Sequence, residues 1–137
     1  MLHVFVHVLP GLVGLVLAAG VVLALGDREQ KTVMTAVLVC WLGATAGQIV
    51  TGHLTAPLII GDIVFALWLV WYACRHPAWW VWAVFACEAG HLVLHASQVG
   101  ETWLPYSLIN NTLSLAALAV LAIAAVLGWR ARRAEKG

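Results

Sequence analysis

Charge is what this sequence lacks most. Only 9% of its 137 residues are Asp, Glu, Lys or Arg, against the ~25% usual in soluble domains. That scarcity excludes a disordered chain and a nucleic-acid-binding module, both of which need charge and polar surface. Cysteine is sparse as well, with three residues and no CxxC pair, which excludes a secreted disulfide scaffold. There is no phosphate-binding glycine loop, no HExxH motif and no nucleophile–base pair. The polar breaks are too short to build a conventional active site, so the sequence leans away from an enzyme. Repeats, low-complexity segments and lipidation motifs are also missing.

What fills the space is apolar. Hydrophobic residues make up 64% of the chain and the mean hydropathy is +0.97. A single soluble unit of 14.7 kDa has too little interior to hide that much apolar surface. The expected solvent is the lipid bilayer. Five continuous apolar runs follow, at about 2–25, 32–52, 57–74, 77–98 and 105–129. Each is near the ~20 residues that an α-helix needs to cross the hydrocarbon. None alternates with period two, which excludes a strand barrel. The first run lacks a basic leading segment and is too long for a secretory signal. The expected fold is all-α: one domain over 1–137, a bundle of five transmembrane helices.

Orientation follows from the few charges. With five spans, Arg28, Lys31, Arg75, Arg130, Arg132, Arg133 and Lys136 all fall on one side, and these are all the Lys and Arg residues present. Basic residues stay on the cytoplasmic side, so the N-terminus is expected outside and the C-terminus inside. Reading through the weak break at His53 to Ala56 gives four spans and splits the basic residues between the two sides. Trp71, Tyr72, Trp79, Trp80, Trp82 and Trp129 then cluster at the inner interface, with Trp103 and Tyr106 at the outer one. This is the depth that amphipathic rings favour. Cys40, Cys74 and Cys87 read as small packing residues. Gly43 and Gly47 on the second run, and Gly11 and Gly14 on the first, are small-residue faces that let helices approach closely. The run 115–127 has no polar face and is expected to face lipid or a partner.

The remaining polar residues gather in the outer half: His3 and His7, then Gln48, Thr51 and His53, then Asp62. In the fourth run Glu88, His91, His95 and Gln98 share one helical face, and in the fifth Ser107, Asn110, Asn111 and Ser114 share another. Glu88 lies ~15 Å along its helix from the outer end at 1.5 Å per residue, too deep to reach the headgroups. An ionisable group there costs ~2.5–3.5 kcal/mol on insertion scales, so these groups are expected to face one another, with Glu88 paired to His91. A transition metal held by His91, His95 and Glu88, with Asp62 in reserve, is one use for such a cluster. A b-type haem between two helices is another, a proton relay or quinone pocket a third, and a purely structural hydrogen-bond network a fourth.

The residues Asp62, Cys74-Arg75-His76-Pro77-Ala78-Trp79-Trp80, His95-Ala96 and Pro105-Tyr106 resemble those of a group of uncharacterised small polytopic bacterial inner-membrane proteins. The resemblance covers about half the chain and implies an architecture and a bacterial inner-membrane setting, but no activity. Where this chain has Glu88 and His91, such proteins more often carry Gln or apolar residues, which singles out Asp62 and His95. The leading functional expectation is a non-catalytic accessory or assembly subunit of a larger membrane complex. Its partners would be the bilayer and other membrane subunits or further copies of itself, with no nucleic acid. The alternatives are a metal- or haem-binding protein handling electrons or protons, and an oligomeric, holin-like pore.

Overall fold

The computed structural model describes the backbone of residues 2–52, 56–97 and 103–137, and their side chains except those of 2–8, 48, 103–105 and 107. The expectations resting on the side chains of His3, His7, His53, Gln48, Gln98, Trp103 and Ser107 lie outside the described residues. The described residues form five helices: α1 (Leu2–Leu25), α2 (Arg28–Thr51), α3 (Ala56–Arg75), α4 (Trp79–Ser97) and α5 (Trp103–Ala134). The described residues contain no strand. Three stretches, Arg28–Thr51, Ala56–Arg75 and Leu108–Ala134, are long and apolar enough to cross a membrane. The described part of α1, Leu9–Leu25, is apolar but shorter. Glu88, His91 and His95 lower the hydropathy of α4.

The helix ends have local causes. Gly26 N donates to Val22 O at 2.8 Å and closes α1. Asp27 and Gln30 then cap α2 reciprocally. Gln30 N donates to Asp27 Oδ1 and Asp27 N donates to Gln30 Oε1, both at 2.9 Å, which satisfies two donors that a helix start otherwise leaves open. This box draws the charged break into the first turn, so α2 begins four residues before the expected start at 32. Gly52 ends α2 with φ +69°, a left-handed conformation that glycine adopts without steric cost. Pro77 lies between α3 and α4, where its missing N–H breaks no ladder. At the C-terminus α5 continues through the basic tail to Ala134, past the expected end at 129.

Around the bundle the neighbours run α2, α3, α4, α5, α1, with lighter contacts from α2 back to α1 and α5. Arg132 Nη2 donates to Leu25 O at 2.6 Å, with Nη1 3.6 Å from Asp27 Oδ2. His76 Nδ1 meets Glu29 Oε1 at 2.9 Å. These ties gather the α1–α2 turn, the end of α3 and the end of α5, and with them every Lys and Arg, at one end of the bundle. The apolar core lies toward that basic end, built on Val22, Val33, Met34, Leu69, Val81, Val84 and Leu121. The polar residues of α3, α4 and α5 lie toward the other.

Three packing expectations change. Tyr72 and Trp80 are buried in the core, not anchored at an interface, whereas Trp71, Trp79 and Trp82 are exposed as expected. Tyr72 is held by stacking between Trp68 and His76. The face of α2 turned to α3 runs through Ala44 and Gly47 instead of Gly43 and Gly47. A Cβ on Gly61 would lie 3.6 Å from Ala44 Cβ, and one on Gly47 would lie 3.0 Å from Pro57 Cβ, while Gly43 faces open space. On α1 the glycines do meet a helix: Gly14 lies against Leu115 and Gly11 near Asn111, both of α5. The run 115–127 is docked through Leu118, Leu121, Ala124 and Ala125, with Ile123 and Leu127 facing outward.

Candidate functional site

Asp62 stands in the second turn of α3, directly after Gly61, whose lack of a side chain keeps α3 close to α2. Glu88, His91 and His95 recur at i, i+3 and i+7 on α4, so helical periodicity stacks them on one face. Gly90 on the same helix lets Leu113 of α5 come within 3.1 Å of where a Cβ would sit. That close approach brings Asn110 and Ser114, one turn apart on α5, against His91.

The outcome is a continuous polar cluster in the interior. Tyr106 Oη lies 2.7 Å from His95 Nδ1, and His95 Nε2 lies 2.7 Å from Asp62 Oδ2. Asp62, Glu88 and His91 each offer one ligand atom, and these three atoms lie within 4.8 Å of one another. Glu88 Oε2 is 3.3 Å from His91 Nδ1. On its far side His91 Nε2 is 3.1 Å from the Asn110 carbonyl oxygen and 3.3 Å from Ser114 Oγ. The Glu88 side chain is 8% exposed and that of His91 is 9% exposed. Glu88 Oε1 is buried and has no hydrogen-bond partner.

The hydrogens on His91 follow from its neighbours. Ser114 Oγ already donates its hydrogen to the Asn110 carbonyl at 3.0 Å, so both groups facing Nε2 are acceptors. Nε2 therefore carries the hydrogen. In the neutral ring Nδ1 then presents a lone pair toward Glu88, itself an acceptor when ionised. Only a proton or a metal cation between these two atoms satisfies both. Leaving the pair uncompensated in a buried site is strongly unfavourable.

Of the residues singled out by sequence, Asp62, Glu88, His91, His95 and Asn110 come together; Asn110 does so through its backbone carbonyl. The expected ligand set of His91, His95 and Glu88 changes in one member. Asp62 takes the third place, and His95 stands behind it with one ring nitrogen on Asp62 and the other on Tyr106. The i, i+4 spacing of the two histidines does not give a shared ligand set, because both ring nitrogens of His95 are taken up by Asp62 and Tyr106. With both on α4, the described residues supply no pair of facing histidines from two helices for a haem. His76 is at the basic end with Glu29. Residue type alone points Tyr106 to the outer interface, whereas the structure turns it to His95. The spacing Tyr106, Asn110, Ser114 (i, i+4, i+8) places it on the face that meets α4, and that signal is present in the sequence. No protein-family model, curated protein or solved structure matches the chain.

Proposed function

We propose that the chain is a five-span protein of the bacterial inner membrane, N-terminus outside and C-terminus cytoplasmic, that binds a metal cation in the outer half of its bundle. One observation carries this reading: three ligand groups from two helices, Asp62, Glu88 and His91, converge in the interior around a carboxylate whose Oε1 has no partner. Asp62 and Glu88 repel each other when both are ionised, so the cluster calls for a proton or a cation to balance it. Five spans are supported by the inward face of α4, which hides the polar residues that depress its hydropathy. Its 19 residues reach roughly 28 Å at 1.5 Å per residue. The gathering of all basic residues at one end supports the orientation.

Purification in mild detergent followed by elemental analysis tests the reading. Wild type is expected to carry or take up one metal ion per chain, and Glu88→Gln to lose it. Wild type that takes up no ion of any kind would overturn it.

A second reading, an accessory subunit that docks on a larger complex, is favoured by α2. Its outward face exposes Val39, Leu42, Ile49 and Val50 around Gly43, which has open space where a Cβ would go. A partner helix can approach such a face closely. Co-purification of a larger membrane protein, lost on Gly43→Leu, is its expected sign.

A further inference from the structure

We infer that the ion held by Asp62, Glu88 and His91 is a divalent first-row transition cation of the zinc class, and not an alkali or alkaline-earth ion. The inference rests on the metal-binding reading above and adds the identity of the ligand class.

Charge is the first ground. No Lys or Arg lies between residues 32 and 74 or between 76 and 129, and those present are gathered at the opposite end. Two carboxylates therefore stand in the interior with only histidines beside them. With both carboxylates ionised and both rings neutral, a divalent ion cancels their charge, whereas a monovalent ion leaves one negative charge uncompensated in a poorly solvated site.

Donor type is the second. The acceptors at His91 Nε2 fix the tautomer that turns the Nδ1 lone pair toward the carboxylates. An imidazole nitrogen suits zinc, copper, nickel, cobalt or iron, while calcium and magnesium take oxygen. Calcium also requires six to eight oxygen ligands, more than the described residues bring together here.

Size is the third. A tetrahedral ion with bonds of ~2.0–2.1 Å has ligand atoms about 3.3 Å apart. Glu88 Oε2 and His91 Nδ1 are 3.3 Å apart, and all three ligand atoms lie within 4.8 Å of one another, a spread that a small ion can draw together. The surroundings match too, since metal-binding carboxylates and imidazoles are oriented by hydrogen bonds from behind. Here His95, backed by Tyr106, holds Asp62, and the Asn110 carbonyl with Ser114 holds His91.

The test uses the full chain in mild detergent, stripped with a chelator and titrated separately with Zn²⁺, Co²⁺, Mg²⁺ and Ca²⁺. Zn²⁺ is expected to bind at one per chain and to survive a large excess of Mg²⁺ or Ca²⁺. Co²⁺ is expected to give a visible d–d band that shifts or disappears in His91→Gln. Ser114→Ala, a milder change that leaves every ligand in place, is expected to weaken Zn²⁺ binding about 10-fold through a looser His91. It decides the matter if His91→Gln does not fold. Displacement of Zn²⁺ by Mg²⁺ or Ca²⁺ would overturn the inference and leave the metal-binding reading standing. Equal Zn²⁺ affinity in wild type and both variants would overturn the assignment to these residues. Failure of all four ions to bind wild type would overturn both.

Discussion

Asp62 on α3 and His95 on α4, 33 positions apart in sequence, are joined by a contact of 2.7 Å between Oδ2 and Nε2. The His95 side chain is 5% exposed and that of Asp62 is 23% exposed. Hydrogen bonds between helices are one of the forces that hold a bundle together in lipid, where burial of apolar surface drives little association. Removing either partner leaves the other in the interior with one bond fewer. Asp62→Ala and His95→Ala are each expected to cost about 1.5–3 kcal/mol or more, the range for a hydrogen bond to a charged group. The double variant is expected to cost less than the sum, with a coupling of about 1 kcal/mol or more. Thermal melting in one detergent, run on all four proteins, measures the cycle. Strict additivity would show that the two side chains do not sense each other.

Glu88 separates a metal-linked contribution to stability from a purely structural one. A ligand that binds only the folded state stabilises it by about 2.7 kcal/mol at one hundred times its dissociation constant. Zinc at that excess is expected to raise the melting temperature of wild type and leave Glu88→Gln unmoved. The gap between the two proteins should therefore widen with zinc and narrow with a chelator. An equal gap under both conditions would make Glu88 a packing and hydrogen-bonding group only.

How much of this was legible beforehand depends on whether a feature is local. The breaks between helices were visible because Gly26, Asp27, Gly52 and Pro77 act on their own turns. The face of α4 was visible because Glu88, His91 and His95 obey one helical period. Which of them meets Asp62 was not, because that depends on how α4 is rotated against α3 and α5. Tyr72 and Trp80 show the same limit. An aromatic ring near a helix end suits an interface or a core equally well, and only the neighbouring helices decide. Gly47 meets α3 while Gly43 faces outward, because small residues occupy adjacent stripes of α2 and composition cannot choose which of them a neighbouring helix takes. The capping box of Asp27 and Gln30 was in the sequence, and it explains the early start of α2.

Topology is the third expected outcome. The ties from Arg132 to Leu25 and from His76 to Glu29 place the basic residues together, and in the proposed topology that end faces the cytoplasm, as the positive-inside bias favours. Alkaline phosphatase fused after Gly137 is expected to be inactive. A label at Thr55 is expected to react from outside the cell. An active fusion would invert the orientation, and a cytoplasmic Thr55 would break the five-span count.

The fourth outcome contrasts two glycines that look alike in sequence. Gly14 lies where α1 crosses α5, and a Cβ there would collide with Leu115. Leu115 has to swing its side-chain end aside to admit a larger residue, with Leu118 of the core 3.7 Å from the same point. Gly14→Val is therefore expected to lose about 1–3 kcal/mol, the usual cost of overpacking a tight contact. Gly43 has nothing within 4 Å of the place where a Cβ would go. Gly43→Val is expected to stay within about 0.5 kcal/mol of wild type, as substitutions away from packed features do. Thermal melting of the two variants side by side gives the comparison. A large loss at Gly43 in the isolated chain would mean that α2 packs against a further helix of the same protein or of a second copy. An unchanged melting temperature together with loss of a co-purifying protein would instead locate a partner on that face. If Gly14→Val melts with wild type, α1 and α5 are not held together by this crossing, and the pairing that closes the bundle would have to rest on the buried leucines and alanines alone.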